Sequence, residues 1–246
     1  MILNDTTNRQ GLIQDCETLT GLGDTYISGN STKRLEFVRM MNIWYRKADT
    51  WIWQSVGDWD FDDSKQTTLP VATTTLVTGQ ADYSIPSSAR KIERVEVLDQ
   101  NGDYQIVLPI DKSQVTGESM TEYDENVTGN PKEYDMVGNS IYLYPTPVTG
   151  KVTMALGLKL YTSRDITEFS TTFNATTNAL SPGFDNHFHR ILSLGASYDY
   201  ATTKGLKKAL TLRAEVSQLE GEIKIFYGAR HRDMKTKFRI KQVNSI

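Results

Sequence analysis

The sequence predicts an α+β protein: a helical bundle formed by N- and C-terminal helices, an inserted antiparallel β-sandwich or barrel domain, and an extended C-terminal arm. Three observations carry this expectation. Apolar residues recur at helical spacing up to about residue 57 and again after residue 183, whereas residues 67–162 switch to a period of two. The last nineteen residues hold six cations against the single acid Asp233, with too little apolar surface to fold alone.

The first helix is read from Leu12, Ile13, Cys16 and Leu19, with Gly21 and Gly23 as its stop. Ser31 or Thr32 is placed to cap the second. The inward stripe of that helix, Phe37, Met41, Trp44, Ala48, Trp51 and Ser55, steps by four and three, and Gly57 closes it. Val38, Tyr45 and Ile52 widen the stripe. Strands are expected at 69–77, 82–85, 91–98, 104–109, 133–137, 140–144 and 151–160. The last sets Val152, Met154, Leu156, Leu158 and Leu160 on one face. Turns come from Gly79-Gln80, Asn101-Gly102, Gly129-Asn130-Pro131, Gly138-Asn139 and Thr149-Gly150. Short strands at this spacing predict a sandwich or small barrel. Residues 111–130 fit neither period and read as a long surface loop.

Residues 163–182 are rich in Thr and Asn and read as a linker. Helical spacing returns with Phe184, Phe188, Ile191, Gly195 and Tyr198. After Gly205 it continues with Ala209, Leu212, Val216, Leu219, Ile223 and Phe226. Neither helical block, 1–66 or 183–227, is long enough for a comfortable core alone. The two are therefore expected to pack together, with 67–162 inserted between them and 228–246 trailing as the arm.

Composition narrows the function classes. With 38% hydrophobic and 23% charged residues, a chain of 246 residues buries a sizeable core and is not mostly disordered. Cys16 is the only cysteine, so an intrachain disulfide and a cysteine-based metal cluster are both excluded. The N-terminal residues lack the pattern of a secretory signal, and no apolar run approaches the roughly 18 residues of a membrane helix. Synthesis in a reducing cytoplasm is expected, with no membrane partner. The formal charge of −3 divides into about −8 over the first 227 residues and about +5 over the arm, which argues against a general nucleic-acid coating protein.

No catalytic constellation emerges. Asp58, Asp60, Asp62 and Asp63 imitate the start of a calcium loop, yet Asp63 stands where that loop needs glycine and Leu69 where it needs glutamate. An extended segment with Trp59 and Phe61 inward is the better reading. His187 and His189, beside Asp185, point about 200° apart on a helix and cannot chelate one ion there. There is no G-x-S-x-G, Walker loop or dinucleotide fingerprint. Trp44, Trp51, Trp53 and Trp59 could stack bases or sugars, but three of them follow the helix stripe or its continuation, so core packing is favoured. No metal, cofactor or enzymatic activity is expected.

The candidate site is the arm: Arg230, Arg232, Lys235, Lys237, Phe238, Arg239, Ile240 and Lys241. Its residues 237–241 alternate strictly between cation and apolar side chain, which suits addition to a sheet edge or docking in a groove of a protein partner. A solvated end or phosphate binding are the alternatives.

Residues 79–86, Gly-Gln-Ala-Asp-Tyr-Ser-Ile-Pro, followed by 90–97, Arg-Lys-Ile-Glu-Arg-Val-Glu-Val, resemble the "g-x-x-x-Y-x-l-P … r-i-x-x-V" pattern of head-to-tail adaptor proteins of short-tailed bacteriophages, the tubular tail A-like or ring proteins. Residues 134–147, ending Pro145-Thr146-Pro147, and 184–191 are similar to further stretches of that family, as is the helix ending Trp51-Ile52-Trp53. The likeness covers most of residues 30–227. It implies a homo-oligomeric ring, commonly dodecameric, beneath the portal protein at the head–tail junction of the virion. The C-terminal arm would anchor on the portal, the other side would receive the next tail or nozzle protein, and genomic DNA would pass through the lumen without specific binding. The rival readings are a carbohydrate- or receptor-binding virion protein, with Tyr104, Tyr123 and Tyr142 as its aromatics, and an enzyme relying on Asp58, Asp60 and His187.

Overall fold

Apolar side chains every three or four residues give each helix one buried stripe, and the helices from the two ends of the chain bury those stripes against one another. The computed structural model describes residues 1–56, 71–87, 89–110 and 127–230. The chain divides into two compact units, Met1–Lys65 with Ile166–Ile246 and Gln66–Asp165. The α+β class expected from the sequence is the class observed.

The helical unit contains α1 (Leu12–Thr20), α2 (Ser31–Val56), the single turn α3 (Ala175–Asn178), α4 (Arg190–Thr203) and α5 (Ala209–Arg230). Helices α2, α4 and α5 pack pairwise, and α1 lies on α4. One core joins Ile13 and Cys16 with Phe37, Met41 and Ile52, then Ile191 and Leu192, then Leu212 and Ile223. Helices α2 and α4 approach closely at Gly195, where a Cβ would overlap the Trp44 ring. The Trp44 indole N–H donates to Asp199 Oδ2 at 2.7 Å beside this contact. Asn30, rather than Ser31 or Thr32, supplies the α2 cap, its Oδ1 accepting the Lys33 N–H at 3.1 Å.

Glu17 organises the connection between α1 and α2. Its Oε1 accepts the N–H groups of Ile27 (2.9 Å) and Ser28 (2.7 Å) and the Ser28 hydroxyl. Burial pushes this carboxyl up, but the Ser28 and Ile27 hydrogen bonds outweigh it and leave it below the usual carboxylate range.

The stretch read as a linker is, from residue 166, folded onto the helical unit. Phe169 is buried and stacks on Tyr45, and Asn42 brackets its backbone, donating to the Phe169 carbonyl at 2.9 Å and accepting its N–H at 3.0 Å. Ile166, Phe173 and Leu180 pack on the same core beside Phe169, so a segment rich in Thr and Asn still has apolar anchors spaced along it.

In the second unit, β1 (Val71–Thr74), β2 (Asp82–Ser84), β3 (Ala89–Leu98), β4 (Tyr104–Pro109), β6 (Glu133–Val137), β7 (Ser140–Tyr144) and β9 (Leu158–Arg164) form one curled sheet. The short β5 (Thr128–Gly129) and β8 (Thr146–Pro147) pair separately. The sheet order is β1-β9-β3-β4-β6-β7-β2. Every neighbouring pair is antiparallel except β4 and β6, which meet in parallel at Leu108↔Glu133 and Pro109↔Tyr134. The sheet is therefore mixed, and this short joint links two antiparallel halves. Val95, Val97, Val107, Leu158 and Leu160 from one half share a core with Tyr83, Ile141 and Leu143 from the other. The unit's first and last strands are neighbours, with Val71 opposite Tyr161.

The expected strand over 151–160 is corrected. The ladder begins only at Leu158 and runs on to Arg164, while Val152 makes isolated bridges to Asp99 and Thr149. Between them the Gly157 N–H donates to the Met154 carbonyl in a tight turn, where a Cβ at 157 would overlap the Thr153 carbonyl oxygen. Leu156 has φ 51° and is exposed. A glycine turn interrupts what reads as unbroken alternation.

Candidate assembly surfaces

Helix α5 delivers the basic arm, and its last turn is firmly held. Ile223 and Tyr227 are buried, and the Tyr227 hydroxyl accepts the Asp185 N–H at 2.9 Å. Phe188 packs against Phe226 and Tyr227 with ring centroids 5.2 Å and 6.4 Å away. Arg230 is the last residue of this helix. The other arm residues, Arg232, Lys235, Lys237, Phe238, Arg239, Ile240 and Lys241, lie outside the described residues, as does the acidic stretch 58–63.

The two histidines part company. His187 sits in a short 3₁₀ turn, Asn186–Phe188, exposed, its Nδ1 2.7 Å from Asp185 Oδ1. His189 is buried, with Nε2 2.8 Å from the Phe184 carbonyl and Nδ1 facing the Met1 backbone. Burial pushes the His189 imidazole below its ordinary value. Among the described residues no group of three or more His, Cys, Asp and Glu side chains is arranged to hold a metal ion. Burial also drives the Cys16 thiol far up, so the chain's single cysteine stays protonated.

Of the aromatics weighed for ligand stacking, Trp44, Trp51 and Tyr104 serve the fold, and Trp59 lies outside the described residues. Trp44 is buried, and Trp51 packs on the core edge-on to it at 6.2 Å. Tyr104 donates to the Leu156 carbonyl at 3.1 Å and carries Lys159 Nζ 3.5 Å above its ring. Tyr142 lies on β7, separated from Tyr104 on β4 by β6, so the two form no common platform; Tyr123 lies outside the described residues. Among the described residues no helix is long and apolar enough to cross a membrane.

The Gly79-to-Pro86 motif proves structural. Val77 N–H donates to the Tyr83 hydroxyl at 3.0 Å, and that hydroxyl donates to the Gln80 carbonyl at 3.0 Å. Gly79, at φ +81°, lets the chain turn back beneath it. Tyr83 thus ties the turn that brings β2 alongside β7. Residues 90–97 fall within β3, whose Val95 and Val97 are central to the sheet core.

The described residues end in a well-anchored helix, and among them there is no cluster arranged to hold a metal ion. The family model of the SU10 adaptor protein matches residues 12–229, from the first residue of α1 to the last turn of α5. The chain belongs to that family, and is thereby a structural adaptor protein of bacteriophage. No curated protein matches it significantly.

Proposed function

We propose that this protein is the head-to-tail connector of a virion: a ring, dodecameric as in related connectors, that docks beneath the portal through its C-terminal arm. It joins the portal to the next tail or nozzle protein and leaves a passage for the genome. The family match over 12–229 carries this reading. Two features support it. The arm, with Arg232, Lys235, Lys237, Arg239 and Lys241 interleaved with Phe238 and Ile240, follows directly on the anchored end of α5. The net acidic body disfavours gripping the phosphate backbone of passing DNA.

Cosedimentation with purified portal rings tests it, using the full chain and a chain ending at Arg230, which retains all of α5. Stoichiometric binding by the full chain and loss by the shortened one is the expected result. Equal binding by both would move the anchor off the arm, and binding by neither would refute the connector.

A further inference from the structure

Two faces of the helical unit have no partner within the chain among the described residues. On α5 the core side is formed by Leu212, Val216, Ile223 and Tyr227. At 100° per residue the side directly opposite carries Leu210, Ala214, Gln218, Gly221 and Ile225, and no charged residue. Leu210 is 79% and Ile225 74% exposed. A helix face turned to water is ordinarily polar or charged. Gly221 points the same way. Glycine weakens a helix interior relative to alanine, and here a Cβ would meet nothing within 4 Å. Gly195 makes room for Trp44; the room beside Gly221 is used by nothing in the chain among the described residues.

The second face lies on α2, where Thr32, Leu35, Glu36, Arg39, Met40 and Ile43 line a shallow groove, the Glu36 carboxylate being paired with Lys33 at 2.7 Å. Leu35 and Ile43 are exposed, and Arg39 has no ion-pair partner among the described residues. Glu222, at the border of the α5 face, accepts from Gln218 at 2.9 Å and is likewise without a cation. From Leu210 to Ile225 the α5 face runs about 22 Å, and the α2 groove from Thr32 to Ile43 about 16 Å, so the groove takes most of the face's length. Because α2, α4 and α5 pack pairwise, the outward sides of α2 and α5 diverge and cannot cover each other in one chain.

We propose that the α5 face of one copy seats in the α2 groove of the next, with Glu222 meeting Arg39. Two different patches of one chain in contact make a heterologous interface, which repeats until it closes into a ring. This rests on the ring reading above and supplies its contact.

Sedimentation of the full chain over a concentration series tests the contact, with circular dichroism to confirm folding of each variant. Gly221→Ala is expected to raise the melting temperature while weakening self-association about tenfold. Arg39→Glu and Glu222→Arg are each expected to weaken assembly by a similar factor, and the double reversal to restore it to within about threefold. If all these variants assemble like the unaltered chain, the contact is wrong and the ring stands. A double reversal no better than either single change overturns the pairing. Variants that self-assemble normally but lose portal cosedimentation would give the face to the portal. An unaltered chain that stays monomeric both alone and on portal rings would refute the ring itself.

Discussion

A single methyl group at Gly195 has nowhere to go. Its Cβ would overlap the Trp44 ring at the closest approach of α2 and α4, so Gly195→Ala is expected to lower stability by about 2 kcal/mol in urea unfolding. In the sheet unit, Tyr83→Phe leaves the Val77 N–H and the Gln80 carbonyl without their shared hydroxyl, at a cost of about 1 kcal/mol. Faster amide exchange at residues 77–80 would report it. His189 ties stability to pH. Its folded value is depressed by burial, so the stabilisation of the neutral ring is complete above the unfolded value of about 6.5 and is lost as the pH falls through the folded value. The melting temperature is expected to drop in that window, and His189→Gln to flatten the slope. These roles were only half legible in the sequence. Tyr83 stood out as part of a family-like motif, but which atoms it fastens depends on a turn that only the fold brings near. Spacing from Ile223 permits either Phe226 or Tyr227 to face the core, and Tyr227 is the buried one. The Asp185 N–H, forty-two residues away in the chain, decides for the tyrosine.

Helices were the legible elements, because burial on one stripe leaves a pattern that local sequence preserves. The α2 stripe from Phe37 to Ala48 is buried as its spacing predicts, and Ile52 rather than Trp51 or Ser55 carries the burial on. Strands were less legible. The alternation from Val152 to Leu160 extends across a turn at Gly157, and alternation alone cannot show that the backbone has doubled back. Nor could the parallel joint of β4 and β6 be read, since pairing partners far apart in sequence leave no local mark. The final helix offers a direct test. Ending the chain at Arg230 should leave the melting temperature within about 1 °C, whereas ending it at Glu222 removes Ile223 and Tyr227 and is expected to cost more than about 3 kcal/mol.

For the whole molecule the decisive asymmetry is electrostatic: a body of about −8 and an arm of about +5. If the arm anchors through its cations, portal affinity falls as salt rises from about 0.1 M, where the screening length is about 10 Å, to about 1 M, where it is about 3 Å. Replacing Lys237, Arg239 and Lys241 with alanine should flatten that dependence, as salt-titrated cosedimentation can show. An affinity indifferent to salt would put the anchoring on Phe238, Ile240 and their apolar neighbours. The charge division was fully legible in the sequence, because charge counts need no fold. The α2 and α5 faces were not, since an outward apolar side chain is recognised only once the inward ones are known.

One detail of the inserted unit bears on how such proteins diversify. Its first and last strands run side by side, Val71 across from Tyr161, so the chain enters and leaves the sheet through the same doorway. A module with that arrangement can be enlarged, trimmed or exchanged between lineages by a single genetic event without rethreading its host. Descendants could thus vary the inserted part while the helices that bracket it in the gene keep their old architecture.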